Sequence, residues 1–105
     1  MTTDPNYFLV EVLLSFQRAL WDMVTPTLRA IAIKPSYPLI EARFIYEVVG
    51  YEEQEIADEV GTYVIADFLP PVDIRLTAVA LPGEVERELE SGERWVYRRR
   101  EGEAR

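Results

Sequence analysis

The chain contains no cysteine and no histidine in its 105 residues. The first absence excludes disulfides, thiol nucleophiles and thiolate metal sites. The second removes the usual general base near neutral pH and the commonest metal ligand. No Gly-x-Gly-x-x-Gly or Gly-x-x-x-x-Gly-Lys-Ser/Thr run occurs, so the sequence offers no loop to cradle a phosphate. The serines, Ser15, Ser36 and Ser91, lie outside any Gly-x-Ser-x-Gly setting. The alternating acids and central glycine of a calcium loop are also missing. Carboxylates alone remain as candidate catalysts, and a glycosidase-like pair needs a deep cleft and raised pKa values that a small two-layer domain rarely builds. The expectation is a protein that is not an enzyme, with no catalytic residue, no cofactor and no metal.

Positive charge is scarce too. Eleven Lys and Arg stand against 19 Asp and Glu, for a net charge of -8 at pH 7. Residues 1–93 hold 17 acids and 6 bases, whereas the last twelve residues hold Arg94, Arg98, Arg99, Arg100 and Arg105 against Glu101 and Glu103. A body this acidic repels phosphate backbones and speeds encounter with basic proteins, so the expected partner is a protein and not nucleic acid. Long apolar runs are missing as well. The most apolar stretch, 7–24, is broken by Glu11, Arg18 and Asp22, which argues against a membrane span. The start, Met1-Thr2-Thr3-Asp4-Pro5, has an acid and no base, unlike a signal peptide, so a cytoplasmic location is expected.

What is present is ordinary globular material: 49% apolar residues in a length that suits one domain, 1–105, with a frayed tail at 102–105. Asp4-Pro5 reads as a helix start, and apolar residues at Leu9, Val12, Leu13, Phe16, Ala19, Leu20, Met23 and Val24 predict a helix ended by Thr25-Pro26. Tyr7, Phe8, Val10, Leu14 and Trp21 lie off that stripe, so more than half of its girth is apolar. Residues 28–34 and 39–49 read as two strands around a turn at Pro35-Ser36-Tyr37-Pro38. In the second, Ile40, Ala42, Phe44, Tyr46 and Val48 form a buried face and Glu41, Arg43, Ile45 and Glu47 a mostly wet one. Residues 52–68 return to helical spacing with Ile56, Val60, Tyr63, Val64 and Phe68 inward, and Gly61 within it suggests a close contact.

Residues 73–81 predict a third strand, apolar on both faces and therefore central or covered. Val85 and Leu89 permit a short helix at 84–90. Residues 94–100 predict a fourth strand, with Trp95, Tyr97 and Arg99 opposite Arg94, Val96, Arg98 and Arg100. That alternation splits Arg98-Arg99-Arg100, which then reads as a charged edge or as partners for nearby acids. The tryptophans and most tyrosines, Tyr37, Tyr46, Tyr63 and Tyr97 included, are expected in the core, although an exposed Tyr37 or Tyr51 would suit an interface. The order α-β-β-α-β-β predicts an α+β two-layer sandwich, a four-stranded sheet with both helices on one face. Strands two and three, if neighbours, must be parallel.

Two acidic clusters are the candidate partner-binding regions: Glu47, Glu52, Glu53, Glu55, Asp58 and Glu59, and then the excursion with Glu84, Glu86, Glu88, Glu90 and Glu93, of which Glu84, Glu86 and Glu88 are the leading candidates. The first also suits the positive end of a helix dipole, and the second also suits a solubilising loop.

Four segments, Leu28-Arg29-Ala30-Ile31-Ala32-Ile33, Arg43-Phe44-Ile45-Tyr46, Val64-Ile65-Ala66-Asp67-Phe68 and Trp95-Val96-Tyr97-Arg98-Arg99-Arg100-Glu101, occur in an order and spacing that resembles small bacterial immunity proteins of contact-dependent growth inhibition and related polymorphic toxin systems. The resemblance implies a cytoplasmic inhibitor that binds a cognate toxin domain, often a nuclease, and blocks it without catalysis. The chain departs from that pattern in its proline-rich hairpin at 35–38 and in its excursion at 83–93. The alternative is a non-catalytic adaptor or oligomeric accessory domain, a homodimer included, with the apolar first helix as its interface.

Overall fold

A computed structural model describes residues 5–102. The Asp4 cap and the tail from 103 lie outside the described residues. The elements are α1 (Pro5–Ala19), β1 (Leu28–Ser36), β2 (Leu39–Tyr46), α2 (Tyr51–Ile65), β3 (Asp73–Ala80) and β4 (Arg94–Arg98). They build the expected α+β fold, a single mixed sheet in the order β3-β2-β1-β4.

β1 and β2 form an antiparallel hairpin, β2 and β3 are parallel, and β4 is antiparallel to β1. The hairpin turn contracts to Tyr37-Pro38, because Ser36 already pairs with Leu39 and Pro35 with Ile40. Pro35 is tolerated because β4 pairs with β1 only as far as Ile33, which leaves that side of β1 open.

Both helices lie against one face. Phe8, Val12, Phe16 and Ala19 of α1 and Ala57, Val60 and Val64 of α2 join Ile31, Ile33, Ile40, Ala42, Phe44 and Tyr46 in one core. The seam between the helices is partly polar. The Ser15 hydroxyl donates to Asp67 Oδ2 at 2.6 Å, and Arg18 Nη2 donates to the same oxygen at 3.0 Å. These bonds, the serine's first, hold the Asp67 carboxyl below its ordinary range. Gly61 lets α2 approach β3, since a Cβ there would overlap Leu76 Cδ1.

Several expectations are corrected. α1 stops at Ala19, short of Thr25-Pro26, because the chain turns at Asp22, whose φ of 64° no helix accommodates. β2 ends at Tyr46, and Val48 is exposed. Tyr63 is exposed, with its hydroxyl donating to Glu59 at 2.6 Å. Trp21 and Tyr37 are exposed too, not core. β3 is an edge strand, covered by α2 on one face only. No helix forms at 84–90. In β4 the register shifts between Ile31 and Ala32, so Tyr97 pairs with Ile31 while Trp95 pairs with Ala32. The strict alternation breaks there, and Arg98 comes over the Trp95 ring at 5.1 Å.

The largest correction concerns the face of the sheet turned from the helices. β4 runs parallel to β3, so the chain must travel back across the sheet between them. Residues 81–93 make that crossing over the second face without a helix. Beneath them Ala30, Ala32 and Ile45 are fully buried, where a wet face was expected.

Candidate functional site

The acids of the first cluster sit at the start of α2. Gly50 caps the helix without a side chain, and its N–H instead donates to Glu53 Oε1 at 2.8 Å. Glu53 is thereby a structural residue. Asp58 accepts from the Gln54 amide at 3.0 Å, one helical turn away. Glu59 accepts from Tyr63. Glu52 and Glu55 are exposed and meet no cation among the described residues. Glu47 precedes the helix and pairs with Arg99 Nη1 at 2.6 Å.

The second cluster is on the other side of the molecule. Arg43, projecting from β2 away from the helices, donates from Nε and Nη2 to the two carboxylate oxygens of Glu93 at 2.8 and 2.7 Å, and from Nη2 to the Glu88 carbonyl at 3.0 Å. The crossing segment is thereby anchored near its end. It is anchored near its start by Arg29, which sits at a register shift in β1 and is 1% exposed. Arg29 donates to both oxygens of Glu101, at 2.9 and 3.0 Å, and to the carbonyls of Leu81, Pro82 and Gly83. Arg87 completes the clasp through the Arg29 and Arg99 carbonyls. Glu84 and Glu86 remain exposed at the rim of an open cleft of about 530 Å³ that also contains Arg29, Arg87, Arg98 and Glu101. Glu88 is exposed beside it.

The sheet therefore separates the two acidic clusters.

The arginines set the local electrostatics. Glu101 is pushed down to about 2, first by its hydrogen bond from Arg29 and further by the charges of Arg29 and Arg87. Glu93 is lowered by its bond from Arg43. A carboxyl that donates a proton in catalysis needs the opposite shift. Among the described residues, no group of three or more acids is placed to hold a metal ion, and no helix is long and apolar enough to cross a membrane.

Sequence reasoning missed the clasp. Arg29 and Glu101 are 72 positions apart, and no local pattern joins them. The available signal was Ile45, Ala30 and Ala32 on a face read as wet. Sequence reasoning also placed Trp21 and Tyr63 in the core, whereas they line a shallow cleft of about 220 Å³ with Arg18, Ala19 and Asp67, at the open end of the helix pair.

No curated protein matches the chain. The family model described as MafI2 immunity protein matches residues 10–101, a span that takes in α1 from Val10 on, the whole of α2, all four strands and the clasp from Arg29 to Glu101. With nearly its whole length covered, this chain belongs to the MafI2 immunity protein family.

Proposed function

We propose that this immunity protein acts in the cytoplasm, in a contact-dependent growth inhibition or related polymorphic toxin system, by binding a basic toxin domain and blocking it without catalysis. One observation carries the reading: Glu52 and Glu55 are exposed at the start of α2 with no cation against them among the described residues, while the molecule's net charge is -8. Asp58 and Glu59 extend that field, and Glu47 and Glu53 stand at its base. A nuclease is the favoured target, because an enzyme that holds phosphates exposes the basic surface such a field attracts. Glu84, Glu86 and Glu88, behind the sheet, then belong to solubility or to a partner that wraps around the edge.

The experiment is co-expression with the cognate toxin domain, followed by binding kinetics on the purified pair at two salt concentrations. Restored growth and an association rate that falls steeply with salt support the reading. No complex and no protection, or a salt-independent association, would overturn it.

A further inference from the structure

The apolar demand of the core is met by the inward face of α1, yet the outward face is apolar as well. Tyr7, Val10 and Leu14 are 63%, 50% and 53% exposed, at the spacing i, i+3, i+7 that places them in one line along the helix. Trp21 continues the line beyond the helix end and is 73% exposed. It shares its cleft with Tyr63 of α2, itself 47% exposed. Single exposed apolar residues need no explanation, but a group of five on two packed helices and the turn after α1 does. Three of the five are Trp or Tyr, the types that dominate binding hot spots.

Acids outnumber cations around this line: Glu11 within it, Asp22 next to Trp21 and Glu59 bonded to Tyr63, while Arg18 in the same cleft is neutralised by Asp67. A second copy of the chain would bring this excess against its own like, between two molecules of charge -8. A basic partner meets the opposite field.

We infer that the line Tyr7–Val10–Leu14–Trp21, with Tyr63, is the apolar anchor of the toxin interface, received by an apolar recess ringed with Lys and Arg on the toxin domain. The inference rests on the proposed function and adds a division of labour to it. The α2 acids set the speed of encounter, and the aromatic line sets how long the complex lasts.

The test compares the full-length wild type with Trp21→Ala, Leu14→Ala and the pair Glu52→Gln/Glu55→Gln, each against the cognate toxin domain made catalytically inactive. Trp21→Ala and Leu14→Ala should each raise Kd by about tenfold or more through faster dissociation, with the salt dependence of association retained. Glu52→Gln/Glu55→Gln should slow association and leave dissociation unchanged. Hydroxyl-radical footprinting of the wild type gives the same answer without a substitution, with Trp21 and Tyr63 protected in the complex. If wild type binds and both single variants dissociate at the wild-type rate, or if the footprint spares Trp21 and Tyr63, this inference is overturned and the proposed function stands. If wild type neither binds nor protects, both fall. A dimer by light scattering that Trp21→Glu dissolves would reassign the line to self-association and overturn the inference.

Discussion

Glu52 and Glu55 on one side of the sheet and Glu93 and Glu101 on the other have opposite surroundings. On the helix side, Glu52 and Glu55 are exposed and pair with no cation among the described residues. On the other side, Glu93 and Glu101 are gripped by Arg43 and Arg29 and hold the crossing segment onto the sheet. The residue type is the same. The difference lies in what the backbone brings alongside: among the described residues no arginine pairs with Glu52 or Glu55, while the crossing segment lies over the two that β1 and β2 project. Net charge alone therefore says little about which carboxylates can greet a partner. Position decides it.

The sharpest way to break the comparison is Glu101→Gln. It leaves the Arg29 charge buried and unneutralised, and should lower unfolding stability by about 3 kcal/mol in urea titrations. Acid reaches the same state in the wild type. A carboxyl held below its unfolded value contributes stability that is fully present above that value and lost as pH falls toward the folded one. For Glu101 the loss should run from about pH 4.5 down to about 2, with Glu93 adding to it in the same direction. Urea midpoints measured across that window should decline in the wild type and decline less in Glu101→Gln. Arg43→Met should cost about 2 kcal/mol, less than Glu101→Gln because Arg43 is partly exposed. Hydrogen exchange should then speed up across 88–93 before it does elsewhere.

On the helix side the effects shrink. Glu53→Ala removes the bond to the Gly50 N–H and should cost about 0.5 kcal/mol by thermal melting. Glu52→Gln/Glu55→Gln should change stability by less than about 0.5 kcal/mol, while slowing toxin association at low salt. If that pair proved as costly to stability as Glu101→Gln, the contrast between the two sides would be lost.

Periodicity made much of the fold legible. The helical spacing around Val12 and Phe16, the alternation from Ile40 to Tyr46, and the parallel placement of β2 and β3 can all be read from the chain, because each follows from local geometry or from the direction of one connection. Gly61 was informative for the same reason: an interior helix glycine has a cost, and Leu76 explains it. Three kinds of feature stayed hidden. Asp22 ends α1 through a left-handed turn that an apolar stripe running on to Val24 conceals. β3 read as central or covered, and apolar content could not distinguish between them: it is an edge strand covered by α2. The clasp depends on long-range partners, and Arg29 gives no hint in its own segment that Glu101 will meet it. The acids at the start of α2 were legible as a cluster. Which of them bear on Gly50, Gln54 or Tyr63, and which face outward alone, required coordinates.

The Arg29–Glu101 contact also fixes when the molecule can be finished. Translation delivers Arg29 early and Glu101 72 positions later, after β4 has emerged. A nascent chain on the ribosome can assemble the helix side first, but Ala30, Ala32 and Ile45 stay bare until the crossing segment and Glu101 have emerged.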